Sequence, residues 1–329
     1  MSEKAEQNSE QSTEDLLNSL DDTIPVPETP EGHRSGFVGI LGKPNVGKST
    51  LLNTYLGEKI AIVTPKAQTT RDRILGILTI PDKAQVIFTD TPGVHQPRHD
   101  LDEYMSDTAS LAIEDSDVIL LLVDSSTTPD EEDRYIVSLL REYAEAPVIL
   151  VLNKVDAASP EEIERNEQSY QELYGFEQSI TISALQGIHR DKLLDTVVDY
   201  LPEGPLYYPA DQITDQEERK IAAELVREQV LNFLSQEVPH SVAVQVDQFK
   251  QRENDVLYIR ANIYVERDSQ KGIVIGKGGK MLKKIGKAAR SEIEAFFGQK
   301  VYLDLWVKVR KNWRKSKKKM RWLGYGAAK

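Results

Sequence analysis

The chain has 329 residues, 40% hydrophobic and 29% charged, enough for two ordinary domains that each bury a core. It contains no cysteine, which excludes disulfide scaffolds and thiolate metal sites; its longest apolar runs, Val118–Val123 and Val148–Leu152, are strand-sized and exclude a membrane-spanning helix. The net charge of −12 hides an asymmetry: Lys271–Lys329 holds 18 Lys and Arg against 3 Asp and Glu (net +15), and the other 270 residues hold 23 against 50 (net −27). An acidic body with a basic end points either to a polyanion met on one face or to a solvated charged tail. The composition and the acidic start, which is neither a signal nor a transit peptide, fit a soluble cytoplasmic protein.

Residues 1–35 are acidic and polar, without apolar periodicity, and read as a disordered extension in which Leu16–Leu20 and Ile24–Val26 are two short windows for a partner. Across 36–203, candidate strands Phe37–Leu41, Arg73–Thr79, Gln85–Phe88, Val118–Val123, Val148–Leu152 and Ser179–Ile182 alternate with helical stretches. Those stretches fall near Lys48–Leu56, Leu101–Glu114, Asp130–Tyr143, Pro160–Tyr174 and Arg190–Tyr200. The alternation predicts an α/β domain with a mostly parallel sheet covered on both faces, its ligand lying beyond the carboxyl ends of the strands.

Phosphate chemistry is written after the first strand. Gly42, Lys43, Pro44, Asn45, Val46, Gly47, Lys48 and Ser49, followed by Thr50, form a glycine-rich loop that opens a helix. Backbone amides of such a loop close around phosphates, Lys48 reaches the β and γ phosphates, and the Ser49 hydroxyl holds Mg²⁺. Asp90, Thr91, Pro92 and Gly93 end a later strand and precede Val94; Asp90 suits Mg²⁺ and the Gly93 amide suits the γ-phosphate. Asn153, Lys154, Val155 and Asp156 end another strand. The Asp156 carboxylate can accept from both the N1–H and the 2-amino group of guanine, a donor pair that adenine lacks. Ser183, Ala184 and Leu185 follow the last strand and can cap the base through backbone amides. Four such motifs in this order at strand ends describe a GTP/GDP site with Mg²⁺. Between the first two motifs lies Thr64–Arg71, a hydroxyl-bearing loop able to close over the metal. Thr70 is the chosen metal-sensing hydroxyl, with Thr69 as the alternative, and Lys48, Thr70 and Gly93 are the candidate catalytic positions.

Residues 204–215, with Gly204, Pro205 and Pro209, read as a linker. Over 216–310 the pattern is helix, strand, strand, helix, helix, strand. Ala222, Val226, Val230 and Phe233 share one helix face, and period-two alternation runs through Leu257–Val265 and Val301–Val309. Gly276, Lys277, Gly278 and Gly279 join two helices in the order of a type II KH domain, an α+β module whose GxxG turn clamps single-stranded RNA. Ile273, Val274 and Ile275 are candidates to meet bases, and Lys277, Lys280, Lys283, Lys284 and Lys287 to meet phosphates. In the tail, 311–329, Trp313, Trp322 and Tyr325 interleave with basic residues. Trp313 either stacks on a base or packs on the domain core.

Taken together, the four nucleotide motifs, the loop Lys66-Ala67-Gln68-Thr69-Thr70-Arg71 and the KH pattern resemble the bacterial Era family of ribosome-assembly GTPases, from about Gly36 to Tyr325. The resemblance implies a slow GTPase that binds the single-stranded 3′ end of small-subunit (16S) rRNA and acts in 30S subunit assembly, as a monomer. It implies slow turnover because Val94 stands where Ras-like enzymes place a water-orienting Gln. Related GTPases with Asn in the phosphate loop use K⁺ beside the phosphates, which would draw on Asn45, Thr64, the Lys66 carbonyl and Thr69. The basic tail can also touch anionic membrane surfaces, giving a peripheral inner-membrane pool. Of two other readings, a constitutive RNA-binding scaffold with a structural nucleotide stays open, whereas a phosphotransferase disagrees with the guanine-reading motif.

Overall fold

The computed structural model describes residues 30–66, 69–97, 100–235 and 238–326. Positions 1–29 of the expected disordered extension, with both docking windows, lie outside the described residues; so do Ala67 and Gln68 of the loop and the last three positions of the tail.

The alternating pattern builds a six-stranded sheet from β1 (Arg34–Leu41), β2 (Ile74–Ile80), β3 (Ala84–Asp90), β4 (Val118–Asp124), β5 (Val148–Asn153) and β6 (Gln178–Thr181). Their order is β2-β3-β1-β4-β5-β6, and every neighbouring pair is parallel except β2 with β3. Parallel neighbours need crossovers. α1 (Lys48–Leu56), α2 (Asp100–Glu114), α3 (Glu131–Tyr143), α4 (Pro160–Gln171) and α5 (Arg190–Tyr200) lie between the strands in sequence. Strand periodicity sorts the core into two layers. Leu120 and Leu122 pack with Leu51, Leu52, Leu193 and Val197 on one face of the sheet. Ile119 and Leu121 pack with Ile113, Ile136 and Leu140 on the other. Burial on both faces is why β4 and β5 read as unbroken apolar runs.

The stretch expected to be a linker is bound down instead. Ile77 N–H donates to the Ile213 carbonyl, and the Thr214 hydroxyl donates to the Leu75 carbonyl, so the chain runs along β2. Gln85, fully buried, accepts from the Tyr207 and Tyr208 amides and donates to the Tyr208 carbonyl. Proline and glycine content signals only the absence of helix here, and the edge of β2 supplies the missing hydrogen-bond partners.

Beyond it, α6 (Glu218–Phe233), the single turn α7 (Val238–Ser241), β7 (Ala243–Gln251), β8 (Leu257–Val265), α8 (Asp268–Ile275), α9 (Lys280–Phe297) and β9 (Val301–Val309) follow in the expected order with α7 added. The sheet runs β7-β8-β9, antiparallel then parallel. Leu257, Ile259, Ala261, Ile263 and Val265 face a core shared with Val226 and Val230 of α6 and Ile285, Ala289 and Ile293 of α9. The tail continues into the short α10 (Lys317–Trp322) and lies in a smaller cluster with Leu101 and Met105 of α2 and with Ala243 and Tyr264 of the second sheet. Among the described residues no helix is long and apolar enough to cross a membrane.

Candidate functional site

The carboxyl ends of β1, β3 and β5 converge on a cavity of about 360 Å³ whose walls include Asn45, Lys48, Ser49, Thr64, Thr70 and Gly93. Lys48 opens α1, and its ammonium folds back to donate to the Gly42 and Lys43 carbonyls, both at 2.9 Å. It is 6% exposed, and burial pulls its pKa down from 10.5 to about 8 despite the nearby Asp90 charge. A desolvated cation at the mouth of a glycine-rich loop is poised for an anion.

Opposite it, three side chains close on one point. The Ser49 hydroxyl donates to Asp90 Oδ2 at 2.6 Å, the Thr70 hydroxyl donates to the same oxygen at 3.3 Å, and the two hydroxyls stand 3.1 Å apart. Asp90 is fully buried, and its other oxygen, Oδ1, has no hydrogen-bond partner. Burial raises the carboxyl's pKa, with the Lys48 charge and the two hydroxyls opposing. A buried carboxylate with an unspent oxygen beside two hydroxyls is a donor set for a hard divalent cation, so these residues fit Mg²⁺. Thr70, rather than Thr69, is the hydroxyl that reaches Asp90.

The rest of the second motif is framework. Thr91 donates to the Ile40 carbonyl at 2.7 Å, pinning the end of β3 to β1. Gly93 lies so close to Pro44 that a Cβ would stand 2.7–2.8 Å from its ring and backbone, a fit only glycine permits. Val94 is 2% exposed in the core, its amide donating to the Gly42 carbonyl; its side chain is not directed at the cavity.

On the base side, Asn153 is a tie rather than a ligand. Its amide nitrogen donates to the Val46 carbonyl at 2.7 Å, and its amide oxygen accepts from the Ala184 N–H at 2.9 Å. One side chain thereby joins the first, third and fourth motifs. The Ala184 amide, expected to cap the base, is committed to this tie. Ser183 is buried, with its amide bonded to the Ile188 carbonyl; Leu185 is 75% exposed. Lys154 takes the left-handed conformation and pairs with Asp124 at 2.8 Å. Val155 and Asp156 begin a turn of 3-10 helix, with the Asp156 carboxylate exposed beside the motif. The sequence reading missed Asp124, which ends β4.

The Lys43 side chain is committed to a neighbouring helix. Its ammonium pairs with Asp130 at 2.8 Å and Asp133 at 2.7 Å, the two residues that form the capping box of α3. Its side chain anchors the loop to that helix and does not reach toward phosphate.

The loop ahead of Thr70 carries the oxygen atoms expected for K⁺. Thr64 and Thr69 hydroxyls are 2.9 Å apart, Thr69 donates to the Lys66 carbonyl at 2.6 Å, and Asn45 donates to the Pro65 carbonyl at 3.1 Å. What the sequence did not disclose is how the loop is held from outside. Arg227 of α6, fully buried, donates to the Thr69 carbonyl and pairs with Glu224. Glu228 accepts from the Val63 amide and pairs with Lys59. Arg71 is 2% exposed and donates to the Val242, Pro239 and His240 carbonyls. Polar side chains on the inward face of an otherwise apolar helix, as at Arg227 and Glu228, were the available signal.

At the glycine turn, α8 ends at Gly276 (φ 70°), and a Cβ there would stand 2.6 Å from that of Met281. Gly278 and Gly279 also have positive φ, and α9 begins at Lys280. Lys277 lies in the turn and Lys280, Lys283, Lys284 and Lys287 follow along α9, all exposed, with the Lys284 ammonium 4.2 Å from the Phe233 ring centroid. Ile273 is 49% exposed and Ile275 half-buried, but Val274 is fully buried in the core and cannot meet a base. Trp313 is corrected too. It is 0% exposed, donates to the Ser241 carbonyl at 2.8 Å, and stacks on Tyr325 at 5.6 Å. A ring so enclosed is not free to stack on RNA; packing is its role.

A family model described as "50S ribosome-binding GTPase" matches residues 37–154, and one described as "KH domain" matches residues 237–314. Among solved structures, Era in complex with MgGDPNP and nucleotides 1506–1542 of 16S ribosomal RNA is 41% identical, with a TM-score of 0.85 over 90% of this chain and 100% of that one. A variant of Aquifex aeolicus Era bound to GDP·AlF4⁻ is 40% identical, with a TM-score of 0.85 over 89% of this chain and 100% of that one.

Proposed function

Because the chain belongs to the Era family of GTPases, we propose that it is a GTP-driven switch that binds the single-stranded 3′ end of 16S rRNA and acts in assembly of the 30S subunit. The observation that carries the nucleotide half is the convergence of Ser49 and Thr70 on Asp90, whose second oxygen is unspent beside the buried Lys48. Lys48 and the loop amides bind and orient the β and γ phosphates, and the Gly93 amide reports the γ-phosphate. Ser49, Thr70 and Asp90 would hold Mg²⁺, which when bound supplies charge neutralisation at those phosphates. Asp156 reads guanine, and Lys154 extends beside the base.

Val94 is buried and apolar, so no side chain at that position orients water, and intrinsic hydrolysis is slow. Asn45, Thr64, the Lys66 carbonyl and Thr69 offer oxygen atoms for K⁺, which predicts faster hydrolysis in K⁺ than in Na⁺; equal rates would remove that part. In the RNA half, Gly276–Gly279 clamps the backbone, with lysines neutralising phosphates and Ile275 facing a base.

The contacts from α6 to the loop favour a switch over a constitutive scaffold. Arg227 and Glu228 grip the segment that must move when the γ-phosphate comes and goes, so nucleotide state and RNA affinity share one equilibrium. The test is RNA affinity measured with a non-hydrolysable GTP analogue and with GDP: tighter binding with the analogue is expected, and equal affinity would refute the switch. We also read the protein as a monomer, checked by sedimentation. Its exposed tail lysines, including Lys317 and Lys318, suit peripheral contact with anionic membrane, checked by flotation with anionic vesicles.

A further inference from the structure

Helices α6, α8 and α9 cover one face of the second sheet. The opposite face carries Tyr258, Arg260, Asn262 and Tyr264 on β8 and, in register beside them, Tyr302, Asp304, Trp306 and Lys308 on β9. The tail closes one end of this face, where Trp322 meets Tyr264 edge-on at 5.3 Å. The other end is open. Tyr302 is 55% exposed and Trp306 54%, on the edge strand and about 13 Å apart at four strand rises.

Cationic side chains lie against the Tyr302 ring and its neighbour Tyr258. Tyr302 lies stacked on Tyr258 at 5.8 Å, and the Arg252 guanidinium sits 4.2 Å from one ring centroid and 4.9 Å from the other. Lys250 stands 5.6 Å from Tyr258. Among the described residues neither Lys250 nor Arg252 has a carboxylate partner. The one acid between the rings, Asp304, is occupied by Arg260 at 3.0 Å and by the Trp306 indole N–H at 3.2 Å, which ties down the indole's edge while the ring stays half-exposed. Half-exposed aromatic rings along an edge strand, with cations that have no carboxylate partner alongside, are the chemistry that single-stranded nucleic acid recognises.

Location adds direction. α8 and α9, which flank the glycine turn, both pack on β9, and a Cβ at Gly286 of α9 would touch Leu305 at 3.3 Å. A strand of RNA leaving the turn over β9 has only the sheet's edge to cross before it meets Tyr302 and Trp306. We propose that this outer face is a second single-stranded RNA platform, stacking bases on Tyr302 and Trp306 while Lys250 and Arg252 meet the phosphates. The inference rests on the glycine turn being the first RNA site.

The test uses the full chain with a GTP analogue and two RNAs from the 3′ end of small-subunit rRNA. One has about 6 nucleotides, enough for a four-nucleotide KH clamp; the other has about 20, enough to pass onto a stacking platform. Tyr302→Ala with Trp306→Ala is expected to weaken the longer RNA about tenfold or more and leave the shorter within about twofold, since each stacked ring is worth about a tenfold change. Tyr302→Phe with Trp306→Phe keeps the rings and restores affinity. The longer RNA should also photocrosslink at Trp306. Unchanged affinity of the Ala variant for the longer RNA overturns the platform, and so does equal loss on both RNAs that the Phe variant does not restore. Unchanged RNA binding with lost binding to 30S subunits overturns it in favour of a protein contact. The Gly278→Asp variant separates the premise: if it binds the shorter RNA normally, the clamp reading fails, and the Trp306 crosslink alone then decides the platform.

Discussion

Replacing Trp313 with alanine separates a packed ring from an RNA-stacking ring. The indole is 0% exposed, donates to the Ser241 carbonyl at 2.8 Å, lies on Tyr325 at 5.6 Å and has the Arg71 guanidinium 5.6 Å from its centroid. Truncating a buried aromatic costs about 3–5 kcal/mol in lost transfer and cavity. Leaving the Ser241 carbonyl without its donor adds about 1 kcal/mol, and the stacked pair about another 1 kcal/mol, with some overlap among these terms. A loss of about 4–5 kcal/mol is expected, read as a lower urea midpoint by far-UV circular dichroism. Trp313→Phe keeps the ring contacts but not the N–H, and should cost about 1–2 kcal/mol. RNA affinity of folded Trp313→Phe should match the unaltered protein. An alanine variant with an unchanged urea midpoint and a tenfold weaker hold on RNA would refute the packing argument.

The nucleotide site yields four further outcomes. Lys48 titrates at about 8 without ligand, and phosphate favours its charged form, so nucleotide binding takes up a proton as pH rises through 8. Affinity should fall up to about tenfold between pH 8 and 9, measured by calorimetry in buffers of different ionisation heat; a flat profile would contradict it. The sign for folding is opposite: the unfolded chain binds the extra proton between about 8 and 10.5, so the nucleotide-free protein gains stability as pH rises through that window. Lys43→Met should lower stability by about 1–3 kcal/mol, because it leaves the buried Asp133 without its partner, yet change nucleotide affinity less than about threefold. A large affinity loss at constant stability would mean the ammonium serves phosphate after all. Gly93→Ala forces a Cβ to within 2.7–2.8 Å of Pro44 and should weaken the GTP analogue more than GDP, since the shifted amide is the one we propose reports the γ-phosphate. Equal weakening of both would detach Gly93 from that role.

The motifs were legible because phosphate, metal and guanine chemistry each demand particular residue types at strand ends, and the strand pattern was plain. Glycine at 42, 47 and 93, the hydroxyl at 49 and carboxylates at 90 and 156 follow from that chemistry. Of the two neighbouring threonines, Thr70 is the one whose hydroxyl reaches Asp90, while the Thr69 hydroxyl donates to the Lys66 carbonyl. What the sequence hid depends on partners far along the chain. Lys43 lies in a phosphate loop, and nothing nearby reveals Asp130 and Asp133 some 90 positions later. Trp313 sits among lysines, and only the tertiary fold brings Ser241, Tyr325 and Arg71 around it. The expected linker looked structureless because its bonds run to β2 and to Gln85, well over a hundred residues back.

The grip of α6 on the nucleotide loop is made largely through main-chain atoms: the Val63 amide to Glu228, and the Thr69 carbonyl to Arg227. Every amino acid except proline offers the same two groups. Side chains in this stretch are therefore free to diverge under selection for metal or phosphate chemistry while the mechanical linkage persists. Drift should be tolerated at loop positions that carry no metal or phosphate chemistry and punished at Arg227 and Glu228, which hold the loop's backbone.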